Sequence, residues 1–237
     1  MVQWLGGLAQ MLPNQHSKTP SLASLAALHA HLASQKALAP EHEKHTVEAL
    51  RNLAEQLVYA DRHDKPALFD YFLEHNMLSH LWRILAHHAT PSAVKVQLLQ
   101  TLALLLQNLE QGPSVYYILS NDHINELIRH PFDFDDEELL TQYVSLLKSI
   151  ALRLDTSTVQ FFIDAPIASA PPPARADERG DHEPPPPLPS LVPPPPSPPP
   201  KAPQFAMFEA LLNLWTHEER MVRTAVRTAV LTICSLR

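Results

Sequence analysis

Ser92-Ala-Val-Lys-Val-Gln-Leu-Leu-Gln-Thr-Leu-Ala-Leu-Leu-Leu-Gln-Asn-Leu109 is the stretch on which the fold turns. Leu98, Leu99, Leu102, Leu105, Leu106 and Leu109 recur at spacings of one, three and four, the pattern of an α-helix. Their stripe is too broad for a helix with one buried face. A helix here must be covered on more than one side, so it is central, and its neighbours must supply the cover. Gln100 and Thr101 interrupt its densest part, which falls short of the roughly 18 apolar residues of a membrane span.

The same period continues outward in both directions. Upstream, Ser21 to Ser34 places Leu22, Leu25, Leu28 and Leu32 on one face. Pro40 opens a helix to about Ala60, since proline is tolerated where the N–H would be unpaired anyway. Its stripe is Val47, Leu50, Leu53, Leu57 and Val58. A loop, Asp61 to Asp64, precedes a helix over Lys65 to Glu74. Asn76 suits a left-handed stop. Met77 to Ala86 carries Leu78, Leu81, Trp82 and Leu85. Downstream, Pro113 opens a short helix with Tyr116 and Tyr117, which read as core and rim, and another spans Asp122 to Arg129. Asp135 reads as the N-cap of a helix to Leu154, with Asp136, Glu137 and Glu138 in the first turn, where the helix dipole favours negative charge. Phe205 to Leu214 and Glu218 to Leu236 complete the series.

Four glycines are too few for a strand-rich fold. Helix pairs with short connections are the pattern of stacked α-solenoids. Glu218 to Ile233 resembles the second helix of an armadillo or HEAT repeat: an acidic turn, Met221-Val222-Arg223, Ala225-Val226, then Leu231 and Ile233. No clean period runs along the rest, so the repeats would be degenerate, and an irregular helical bundle is the rival arrangement. Val230, Leu231, Ile233 and Leu236 do not form the polar cap a solenoid end needs, so the sequence reads as part of a longer protein.

Of the 24 prolines, 17 lie between Pro166 and Pro203. Leu188, Leu191 and Val192 cannot offset the entropy of ordering such a segment, which reads as disordered with polyproline II character. The expected organisation is an N-terminal extension (1–20), a helical part (21–164), a disordered proline-rich insert (165–204) and a closing helical part (205–237). Pro184, Pro187 and Pro189 in one run, and Pro193 and Pro196 in the next, are candidate ligands for SH3, WW or profilin-type partners. Arg175, Arg179 and Lys201 are not well placed to orient them, and a passive expansion is the plainer reading.

The net charge of −7 lacks the electrostatic footprint of nucleic-acid binding. One cysteine, Cys234, permits no internal disulfide, fits a reducing cytosol and reads as a small buried hydrophobe. Met1 to Leu12 lacks the basic start of a secretory signal. Membrane contact is therefore expected to be peripheral.

No phosphate-binding glycine loop, dinucleotide fingerprint or serine elbow occurs. A single cysteine excludes zinc-finger and RING spacings. Among the fourteen histidines, His42-Glu43-Lys44-His45 falls one residue short of a zinc-protease motif, His87 and His88 end a helix, and His29 and His31 sit on different helix faces. They read as solvated helix residues. The expectation is a non-enzymatic chain with no catalytic residue, cofactor or metal. The acidic run Asp133, Asp135, Asp136, Glu137 and Glu138 is explained by capping, with Phe132 and Phe134 stapling the helix entry to the core. The second reading makes the corner Phe132, Asp133, Phe134 and Asp135 a partner-binding site.

Several stretches together resemble a known family. They are Phe69-Asp-Tyr-Phe-Leu-Glu-His-Asn-Met77, Val96-Gln-Leu-Leu-Gln-Thr-Leu102, Tyr116-Tyr-Ile-Leu-Ser-Asn121, His130-Pro-Phe-Asp-Phe-Asp-Asp-Glu-Glu138, Tyr143-Val-Ser-Leu-Leu-Lys148, Val159-Gln-Phe-Phe162 and Met221-Val-Arg-Thr-Ala-Val-Arg-Thr228. In order and spacing they are similar to the FPL domain family, from about Ser21 to Phe162 and again from Phe205 to Leu236. The resemblance implies a helical N-terminal domain of a large cytosolic protein that acts on endosome, Golgi and lysosome or vacuole membranes and in autophagy, through proteins of that machinery. It supplies no catalytic residues. The chain departs from the family by its insert and by lacking the long region that follows the domain. Two other functions fit less well: a ubiquitin-pathway regulator associated with a ligase, and an actin-linked scaffold acting through the insert.

Overall fold

The computed structural model describes residues 20–164 and 204–236. Among these, the helices are α1 (Leu22–Ala33), α2 (Glu43–Arg62), α3 (Pro66–Glu74), α4 (Met77–Ala86), α5 (Ser92–Asn108), α6 (Gly112–Ser120), α7 (Asp122–Arg129), α8 (Glu137–Arg153), α9 (Ala206–Asn213) and α10 (Arg220–Cys234). Short 3-10 turns occupy Gln35–Leu38, Pro40–His42 and Val159–Phe162.

Local chemistry sets the boundaries. Ser21 and Ser24 form a capping box at α1, each side chain accepting from the other's backbone N–H at 3.2 Å. Asn76, at φ 43°, takes the left-handed conformation that an Asn tolerates, and it separates α3 from α4. Pro66 and Pro113 sit in the first turns of α3 and α6. Pro40 opens a 3-10 turn rather than the helix itself, and α2 begins at Glu43. The expected loop at Asp61 to Asp64 starts later, because α2 continues through Asp61 and Arg62.

The helices lie in two rows. In the first, α5 packs between α2 and α8, and α10 lies on the far side of α8. In the second, α4 packs between α1 and α7, and α9 lies beside α7. The rows meet through α1 on α2, α4 on α5 and α9 on α10. The central position expected of α5 holds, with Leu98, Leu99, Leu102, Leu105, Leu106 and the following Leu109 all buried. Burying each such side chain contributes roughly 1.5–3 kcal/mol. Two expectations fail at surface turns of helices. Leu22 is 48% exposed in the first turn of α1, and Cys234 is exposed at the last residue of α10.

The described residues form an all-α fold, as expected, with one short two-stranded ladder added. β1 (Ile163–Asp164) and β2 (Gln204–Phe205) pair antiparallel, Ile163 with Phe205 and Asp164 with Gln204. The chain thus leaves toward the proline-rich segment and returns at one pinned neck. The disorder assigned to the insert, its ligand prolines Pro184, Pro187, Pro189, Pro193 and Pro196, and the N-terminal extension through residue 19 lie outside the described residues. No helix among the described residues is long and apolar enough to cross a membrane.

Candidate partner-binding groove

The stretch His130-Pro131-Phe132-Asp133-Phe134-Asp135 joins the end of α7 to the start of α8. Asp133 Oδ1 accepts the Asp135 N–H at 3.1 Å, which turns the chain. The N-cap is Asp136, one residue later than the sequence reading placed it. Asp136 is extended and its Oδ1 accepts from the Glu138 and Leu139 N–H groups, each at 3.0 Å. The Ser92 hydroxyl, at the start of α5, donates to the other oxygen. That hydroxyl, followed by the Leu139 N–H, holds the carboxyl below the usual carboxylate range. A depressed folded value means that the contribution is present above the unfolded value near 4 and is lost as pH falls through the folded one. Asp136→Ala should cost about 1 kcal/mol at pH 7. Denaturant titrations at pH 7 and pH 3 check this, the difference from wild type shrinking at the lower pH.

Phe132 and Phe134 are both half-buried and pack against the core. Their ring centroids lie 6.1 Å apart, and 5.3 and 5.2 Å from that of Tyr143 on α8. Tyr143 is 3% exposed and donates its hydroxyl to the Ile128 carbonyl at 2.7 Å, while burial pushes its phenol pKa up. The ring beneath the two phenylalanines is therefore fixed and uncharged. His130 meets Phe132 edge-on at 4.7 Å, and burial, then Lys95, lowers its pKa. The corner is a neutral aromatic step, flanked by the exposed carboxylates Asp133 and Asp135.

Opposite this step lies α9. Phe132, Phe134 and Tyr143 line one wall of an open groove of about 520 Å³, with Ala206, Glu209, Ala210 and Asn213 on the other. Gln204, the first residue of β2, also lines it. Phe132 and Phe134 pack against the core and also line this groove. The sequence placed Phe132, Asp133, Phe134 and Asp135 together. It did not connect them to α9, which follows only after the insert.

A second opening, of about 650 Å³, lies at the α5–α6 turn and includes Pro113, Tyr116, Arg153 and Asp155. Its polar groups are engaged in the fold. Arg153 donates to backbone carbonyls, and Asp155 accepts from Ser157 and Thr158, holding its carboxyl at about 2. Tyr116 is 47% exposed and meets Phe161 edge-on, whereas Tyr117 packs against the core, as core-and-rim required. No group of three His, Cys, Asp or Glu among the described residues is placed to hold a metal ion.

Comparison with known proteins places this architecture. The FPL family, described as an uncharacterised conserved protein, matches residues 50–234. The chain is 32% identical over 231 residues to the CLEC16A homolog of Drosophila melanogaster, covering 97% of this chain and 18% of that protein. It is 32% identical over 234 residues to CLEC16A of Homo sapiens, with the same coverage, 97% and 18%. It is 32% identical over 187 residues to TRANSPARENT TESTA 9 of Arabidopsis thaliana, 79% of this chain and 18% of that one. The chain thus spans about a fifth of the length of these relatives. No solved structure matches. With the matched region running from within α2 to the end of α10, and with animal and plant relatives aligned to most of its length, the chain belongs to the FPL family.

Proposed function

We propose that the chain is a non-enzymatic adaptor module of endomembrane trafficking and autophagy, binding partner proteins through an armadillo/HEAT-like helical stack. The observation that carries the reading is the aromatic groove between the α7–α8 corner and α9. A pair of half-buried phenylalanines backed by a fixed tyrosine has the makeup of an interface anchor, large in area and low in conformational entropy. The two rows of helices support the stack, since repeats of paired helices place their second helices in one row and their first in the other. Family membership supports the setting: cytoplasmic, peripheral on endosome, Golgi or lysosome and vacuole membranes, among proteins of that machinery.

The test is proximity labelling in cells by the wild-type chain and by Phe132→Ala/Phe134→Ala. Loss of an aromatic anchor typically costs 2 kcal/mol or more, roughly a thirtyfold loss of affinity. Labelling of endosomal and autophagy proteins should fall accordingly while the purified variant keeps its helical circular dichroism. Labelling unchanged by the double substitution would move the interface elsewhere. A second reading places an additional role in the proline runs of the sequence between β1 and β2, as ligands of SH3, WW or profilin-type partners. That role requires labelling of such proteins to vanish when residues 170–201 are deleted.

A further inference from the structure

His29 and His31 lie two residues apart on α1 and face different neighbours. On one side, the His29 ring lies 5.0 Å from that of His75, at the end of α3, and 5.2 Å from that of His80 on α4. Its Nδ1 hydrogen-bonds the Tyr71 hydroxyl at 3.2 Å. His75 stacks on Tyr71 at 3.8 Å and its Nδ1 bonds the Tyr71 carbonyl at 3.0 Å. On the other side, the His31 ring lies 4.2 Å from that of His45 on α2, and its Nε2 bonds the Thr46 hydroxyl at 3.0 Å. The helix between these two clusters is 12 residues long, a length at which an isolated helix is marginal, so it persists by docking. Leu25 and Leu32 are its fully buried anchors.

The charged and titratable groups acting on these rings share one sign. They are His75 and His80 on His29; His45, His42 and Lys36 on His31; and Arg83 on His80. Arg83 also donates to the Leu32 and Ser34 carbonyls at 2.8 and 3.3 Å, closing the end of α1. None of these neighbours is a carboxylate that could welcome a proton.

We infer that α1 is a proton-released segment: acidification charges His29 and His31 on its two flanks, and His80 beside His29, detaches Leu22–Ala33, and uncovers the apolar surface of α2, α3 and α4 beneath. Imidazolium rings 4–5 Å apart repel, and each such pair spans from α1 to a helix it packs on. Burial first, then the cationic neighbours, lowers the folded pKa of His29, His31 and His80. The released segment therefore binds more protons than the docked one. Docking is full above the free imidazole value of 6.5 and weakens as pH falls below it.

The experiment is hydrogen–deuterium exchange on the whole chain at pH 7.5 and pH 5.5, corrected for the intrinsic pH dependence of exchange. Protection of α1 amides should drop on the order of tenfold, with α5 and α8 unchanged. His29→Gln/His31→Gln keeps hydrogen-bonding groups toward Tyr71 and Thr46 but cannot take a proton, and should flatten the response. His75→Gln/His80→Gln, which leaves α1 intact, should reduce it. A flat wild-type profile, a drop shared equally by every helix, or a full response in His29→Gln/His31→Gln would each overturn the inference.

Discussion

Phe162→Ala should destabilise the domain by about 3–5 kcal/mol, a large part of the 5–15 kcal/mol that a domain commands. Phe162 is fully buried, yet it belongs to a one-turn 3-10 segment beside a connection rich in proline. The strands that follow are two residues each, too short to hold the neck by backbone pairing alone. The Phe162 side chain therefore fixes where the chain leaves the stack. Asn125 assists by donating to the Phe161 carbonyl at 2.6 Å. Replacing residues 166–202 with a short turn should do the opposite, keeping the fold and raising stability by up to about 2 kcal/mol. Shortening the connection by about three doublings removes roughly 0.6 kcal/mol of closure entropy for each. Urea denaturation of both variants checks the pair. A loss below about 1 kcal/mol for Phe162→Ala would mean that the neck is held elsewhere.

Elements governed by local chemistry were legible in the sequence, and contacts made across the chain were not. The α5 stripe declared a helix covered on several sides because six leucines at helical spacing have no other use. Asn76 marked a boundary because few residues tolerate φ 43°. Asp135 and Asp136 both suit an N-cap, and only the backbone turn made by Asp133 decides between them. Cys234 was misjudged because an apolar stripe does not say which of its edges a neighbour covers. The groove needed α9, which sequence order separates from Phe134 by α8 and the whole insert. The histidines of α1 were seen to face apart, but what each faces is settled by α2, α3 and α4 packing around them.

The sharpest case of such a hidden contact predicts the second large effect. The turn from α5 to α6 is gripped by one charge from each neighbouring helix of the row. Arg153, at the end of α8, donates to the Leu106, Gln107 and Leu109 carbonyls at 2.5, 3.2 and 2.6 Å, where the end of α5 leaves carbonyls unpaired. Asp61, near the end of α2, accepts the Glu110 and Gln111 N–H groups at 2.6 and 3.1 Å with one oxygen, just ahead of α6. Asp61 is 6% exposed and its other oxygen has no partner, so it occupies a costly position for the sake of those two bonds. Arg153→Ala should cost about 2–4 kcal/mol and Asp61→Ala about 2–3 kcal/mol, since each strands backbone groups. Arg153→Lys should recover little, because an ammonium cannot span three carbonyls as the guanidinium fork does. Asp61→Asn should be milder than alanine, because its amide oxygen can still accept while the unpaired charge disappears. Both residues hold the same turn, so the double variant should cost less than the sum of the single ones. A coupling of at least about 0.5 kcal/mol is the signature of a shared corner, and simple additivity within that margin would show that the two grips act independently.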